Sequence, residues 1–172
     1  KPLPDEAYYW LWSKNIALSY FDHPPLATWA TAFFHSISDN RYFVIRALPV
    51  VSLGFLLTIM IVWQGLMSKR LGYGLSLKSI VLFLAFPIYS IFFSVSFPDC
   101  LLITLLFASS FFLFLYFESN KKLRRVIYFW YLAVLFFALA LLTKYNAVLL
   151  GIGVLAYILY YRKQIGGPPF AH

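Results

Sequence analysis

Residues 126–161 read VIYFWYLAVLFFALALLTKYNAVLLGIGVLAYILYY, and the way this stretch divides decides the fold. As a single helix it is too long for a bilayer and holds Lys144 at mid-depth, where a charge is expensive. Thr143, Lys144, Tyr145 and Asn146 read instead as a tight turn at the membrane surface. Two spans result, Val126 to Leu142 and Ala147 to Tyr161. Three more apolar runs precede them: Phe43 to Met67, Leu77 to Phe97, and Leu101 to Phe117. The last is short, but Asp99 can stand at its headgroup end. Hydrophobic residues make up 62% of the 172 and charged residues 12%, with a mean hydropathy of +0.79. That balance excludes a soluble domain.

Basic clusters orient the spans. Lys69, Arg70 and Lys78 lie between the first two, and Lys121, Lys122, Arg124 and Arg125 between the third and fourth. Arg162 and Lys163 follow the fifth, so nine of the 14 basic residues share one side. The other side holds Lys1, Lys14, Arg41, Arg46 and Lys144. The richer side is read as cytoplasmic. Asp5, Glu6, Asp22, Asp39 and Asp99 then face outward, and Glu118 faces inward. The net charge of +8 is thus mostly a topological signal, spread through short loops rather than forming a nucleic-acid patch.

Residues 1–42 differ from the rest. Pro4 suits the first turn of a helix, and Asp5 and Glu6 suit its positive end. Tyr8, Tyr9, Trp10 and Trp12 supply an aromatic belt. Beyond Asp22-His23-Pro24-Pro25, the residues Leu26, Trp29, Ala30, Phe33 and Ile37 recur at helical spacing. The expected fold is all-α: a polytopic membrane protein of about five transmembrane helices plus two short amphipathic helices on the outer surface. Residues 1–172 form one membrane domain, with the surface helices in 1–42 and the transmembrane bundle in 43–165. A chain that starts outside without a preceding span, and stops just past its fifth, reads as a segment of a longer protein. The one cysteine, Cys100, rules out an internal disulfide.

An acid at a membrane edge is costly to place and usually has a task. Asp5 and Glu6 are the foremost catalytic candidates: a partly desolvated carboxylate can take the proton of an attacking hydroxyl. Helix-dipole complementarity accounts for the same pair. Asp22 and His23 sit in a proline-fixed turn, able to hold a polar ligand or a divalent metal, or simply to cap a helix. Asp99 after Pro98 is either a ligand at the mouth of a span or a helix-start residue. Arg46 and Lys144 are cations near the same face. Either can neutralise a phosphate, while Arg46 can equally pair with one of the acids and Lys144 can snorkel. His35 reads as polar-face filling, Glu118 as a solvated loop charge, and Cys100 as a packing residue. Together these describe an outward pocket of acids, cations and aromatic walls, suited to a ligand with an anionic head and a lipid tail.

The order of motifs carries a resemblance. Asp-Glu-Ala-Tyr-Tyr-Trp at 5–10, Asp-His-Pro-Pro-Leu at 22–26, Arg46-x-x-Pro49, Pro98-Asp99 and Leu-Thr-Lys-Tyr at 142–145 together resemble the polyprenyl-phosphate-sugar-dependent membrane glycosyltransferases. These are the GT-C enzymes of the dolichyl-phosphate-mannose protein mannosyltransferase and aminoarabinose-transferase type (glycosyltransferase families 39 and 83). The resemblance runs from Asp5 to about Arg162, as an N-terminal segment. It implies an inverting sugar transfer from a polyprenyl-phosphate donor to a hydroxyl on a protein, lipid or glycan acceptor, at the outward face of a multi-pass inner-membrane protein. Asp5 matches the catalytic base of such enzymes and Glu6 its neighbour. Asp22, His23, Asp99, Lys144 and Arg46 fall to substrate binding. No cofactor is certain; a divalent metal at Asp22 and His23 stays open. No nucleic acid is implied. A transporter or lipid flippase would instead place charges at mid-membrane within inverted repeats, and a non-catalytic membrane subunit would make Asp5 replaceable.

Overall fold

The computed structural model describes residues 3–21, 23–72, 77–119 and 126–165, with side chains through Tyr160. All described regular structure is helical: α1 (Pro4–Trp12), α2 (Leu26–Ile37), α3 (Arg41–Leu71), α4 (Lys78–Ala85), α5 (Pro87–Ser94), α6 (Pro98–Glu118), α7 (Val126–Leu141), a 3-10 turn (Tyr145–Ala147) and α8 (Val148–Ile165). The chain is an all-α membrane protein. Its two longest helices, α3 at 31 residues and α6 at 21, are long and apolar enough to cross a bilayer. Large apolar side chains stay exposed along α7 and α8, among them Leu135, Leu149, Ile152, Leu155 and Leu159. With lipid as the solvent, such faces have no reason to turn inward.

Local chemistry sets the helix ends. The Asn40 side chain caps α3, its Oδ1 accepting from the backbone N–H groups of Tyr42 (3.0 Å) and Phe43 (3.3 Å). At the other end Gly72 takes φ 71°, the left-handed C-terminal geometry that a residue without a Cβ adopts without strain. α1, α5 and α6 each carry a proline in the first turn, where the missing N–H costs nothing.

One expected span is corrected. Leu77 to Phe97 is broken into α4 and α5, because Phe86 precedes Pro87 and takes an extended conformation (ψ 116°). The Ser90 hydroxyl donates to the Leu84 carbonyl at 2.6 Å, satisfying a backbone acceptor that the break would leave bare.

α6 is the central helix, packed most extensively on α7 and then on α3. Trp63 of α3 packs against Phe107, Phe111 and Phe114, with ring centroids 5.2–5.5 Å apart. Thr104 donates from its hydroxyl to the carbonyls of Cys100 (2.8 Å) and Ser52 (3.2 Å), tying α6 to α3. Ser109 donates to the Ala133 carbonyl of α7 at 2.9 Å. These are the short-reach polar contacts by which apolar helices recognise one another in lipid.

The two ends of the bundle differ. At one, Arg70 of α3 pairs with Glu118 of α6, so these two helices run parallel. The opposite end gathers α1, α2, the start of α3, the α5–α6 connection and the turn after α7. There the Leu26 N–H at the head of α2 donates to the Leu142 carbonyl at 2.9 Å. The basic run at 121–125 lies outside the described residues, as do the side chains of Arg162 and Lys163.

Candidate active site

Successive residues on a helix point about 100° apart, and α1 uses this to send its two acids different ways. Asp5 is exposed and lines a cavity of about 470 Å³ at the α1–α2 end of the bundle. It has no ion-pair or side-chain hydrogen-bond partner among the described residues. Glu6 turns inward and is only 1% exposed. One of its oxygens, Oε2, accepts from the Leu3 N–H at 2.9 Å, closing the first turn of α1. The other, Oε1, accepts from Arg46 Nη1 at 2.7 Å and from the Ser96 N–H at 3.0 Å. Arg46 Nη1 also reaches the Ser94 carbonyl at 2.5 Å.

Three further chain segments complete the cavity. His23, in the turn before Pro24, sets its ring edge-on to Tyr9 with centroids 5.8 Å apart. The loop leading to it is folded back by its own polar groups. Tyr20 donates to the Asn15 carbonyl at 3.1 Å and stacks on Trp12 at 4.8 Å, while Trp29 Nε1 donates to the Ala17 carbonyl at 2.9 Å. Asp99 stands in the first turn of α6, just after Phe97 and Pro98, which also line the cavity. Lys144 is extended (φ −160°, ψ 137°) and lies three residues past the end of α7, immediately before the 3-10 turn. Its Nζ donates to both Asp99 oxygens, at 2.9 and 3.1 Å.

The cavity therefore joins Asp5, His23, Asp99 and Lys144, drawn from four separate parts of the chain, between walls that include Tyr8, Trp12 and Phe92. Asp99 and Lys144 neutralise one another. Asp5 is left as the uncompensated carboxylate among the described lining residues. Glu6 and Arg46 are not in the lining; they pair with each other, the alternative left open for Arg46. Asp22 lies outside the described residues. Among those described, no group of three or more His, Cys, Asp or Glu is placed to share a metal ion.

Tyr8, Tyr9 and Trp12, read in the sequence as part of an aromatic belt, line the cavity at i, i+1 and i+4 of a short helix. Phe21 and Phe92, beside Tyr20 and Phe93 in a loop and an apolar run, also line it, with no pattern to mark them.

No solved structure matches the chain. A 58-residue stretch is 36% identical to the lipid A galacturonosyltransferase of Rhizobium johnstonii. That match covers 33% of this chain and 12% of that protein, so the chain spans only a small part of the relative's length. Residues 22–169, well over half of the chain, match the family model described as dolichyl-phosphate-mannose-protein mannosyltransferase. The match takes in the His23 turn, the Asp99 helix start and the Lys144 turn, and so, as the ordered motifs implied, the chain belongs to the dolichyl-phosphate-mannose-protein mannosyltransferase family.

Proposed function

We propose that the protein transfers a sugar from a polyprenyl-phosphate donor to an acceptor hydroxyl on the outer face of the cell membrane, with inversion at the anomeric carbon. The observation that carries this reading is the Asp5 carboxylate, unpaired among the described residues, in the same cavity as the Lys144 ammonium. Asp5 serves as the general base. The acceptor oxygen attacks the anomeric carbon from the side opposite the phosphate and gives its proton to Asp5 as the new carbon–oxygen bond forms. The bond from that carbon to the phosphate oxygen breaks, and the electron pair leaves with the polyprenyl phosphate. Lys144 holds the phosphate by a charge-assisted contact made alike in the bound donor and as the phosphate departs. Asp99 orients Lys144 until the phosphate arrives. The aromatic walls suit the flat apolar faces of a sugar or the first isoprene units. His23 binds the sugar by hydrogen bonding.

The sugar named for the relative is galacturonic acid and that in the family description is mannose, so synthetic prenyl-phosphate-linked forms of both are the donors to test. Transfer is measured with the gene's full product in membranes, beside Asp5→Asn. Asn keeps the size of Asp and cannot take the proton. Turnover should fall by ~10²- to 10⁴-fold at saturating donor. Near-normal turnover in Asp5→Asn would remove the base assignment, and a wild type that moves donor across the bilayer without transfer would favour the transporter reading.

A further inference from the structure

We infer that Glu6 is not a second base but a positioning residue that fixes Asp5, and this rests on the reading of Asp5 as base. Two adjacent acids at the start of a helix are equivalent in sequence. In the structure their surroundings are opposite. Glu6 is 1% exposed, and its two oxygens receive three donors, from Leu3, Arg46 and Ser96. A carboxylate so engaged has no room for a substrate hydroxyl. Its contacts reach out of α1 in two directions, forty residues along to α3 and ninety residues along to the turn before α6. Arg46 extends the tie to the carbonyl that ends α5.

α1 needs such a tie. It is nine residues long, too short to hold its place by helix stability alone, and much of its surface is exposed, including Tyr8 and Leu11. Asp5 precedes Glu6 directly, so any rotation or lift of the first turn moves both. The Ser96 N–H that Glu6 holds lies three residues before Asp99. One buried carboxylate thereby sets the first turn of α1 against the chain segment that carries the Asp99–Lys144 pair. A displacement of about 1 Å at a reacting group is enough to cost ~10²-fold in rate.

The test is a mutant cycle at saturating prenyl-phosphate mannose and prenyl-phosphate galacturonate, using the full gene product, with turnover normalised to folded protein. Glu6→Gln can keep an amide oxygen toward Arg46 and Ser96 and loses chiefly the Leu3 contact, so its turnover should stay within about tenfold of wild type. Glu6→Ala removes the tie and should lose ~10²-fold. Asp5→Asn with Glu6→Ala should be no slower than Asp5→Asn alone, because a residue that acts only through Asp5 has nothing left to position. Arg46→Ala breaks the same tie from the other end and replaces Glu6→Ala in the cycle if that variant fails to fold. A Glu6→Gln loss as deep as that of Asp5→Asn, or losses that multiply in the double variant, would overturn the inference while leaving Asp5 in place. Near-normal turnover in Asp5→Asn alone would instead overturn the base assignment, and the positioning role with it.

Discussion

Removing the Lys144 ammonium should raise the KM for the prenyl-phosphate donor by about 5- to 30-fold while changing kcat much less. A charge-assisted hydrogen bond from an ammonium to a phosphate oxygen is worth about 1.5–3 kcal/mol. Lys144 is not free before the donor binds: it donates to Asp99 at 2.9 and 3.1 Å, and the two side chains are 30% and 23% exposed. Giving up a partly solvated pair of that kind costs about 0.5–1 kcal/mol. The difference, about 1–2 kcal/mol, converts to the stated range at about 1.4 kcal/mol per decade. Lys144→Ala also leaves Asp99 without its cation beside the incoming phosphate, and repulsion pushes the effect toward the upper end. The double variant Lys144→Ala with Asp99→Asn removes that repulsion and should recover part of the lost affinity. Initial rates against donor concentration in reconstituted membranes measure both. An unchanged KM in Lys144→Ala would take Lys144 off the phosphate. A double variant worse than the single one would make the pair a structural bridge between α6 and the turn after α7.

Two further outcomes test the frame that carries the cavity. In a Cys100→Ala background, a membrane-impermeant maleimide applied to intact cells should label Asp39→Cys, before α3, and not Lys69→Cys, at its far end. Labelling of both, or the reverse pattern, would refute the outward orientation of the site. Thr104→Val removes the hydroxyl that donates to Cys100 and Ser52. It should lower stability by about 0.5–1.5 kcal/mol, seen as an earlier thermal transition in detergent with donor KM unchanged. A shifted KM would mean that the α3–α6 contact also shapes the cavity.

Much of the fold follows from hydropathy, since a bilayer accepts only long apolar runs with their backbone satisfied internally. α3, α6 and α7 fall within a few residues of the runs read from 43, 101 and 126, and the turn at Thr143 to Asn146 follows from the cost of holding Lys144 at mid-depth. The break at Phe86–Pro87 was legible in principle, because the residue before a proline avoids helical geometry. Apolar continuity across 77–97 outweighed that signal, and only the folded chain, with Ser90 covering the Leu84 carbonyl, shows the cost of a break to be met.

For the site, sequence determined which residues were worth their charge: an acid near lipid is expensive, and Asp5, Glu6, Asp99 and Lys144 were singled out on that ground. It could not assign them to one cavity or to separate helix caps. Helix-dipole and capping preferences act within one turn of a helix, whereas convergence depends on contacts such as Lys144 with Asp99, 45 residues apart, and Glu6 with Ser96, 90 apart. Tertiary structure also separated the neighbours Asp5 and Glu6. Adjacent residues on a helix face different directions, and the inward turn of Glu6 is held by the distant Arg46 and Ser96 beside its local contact with Leu3.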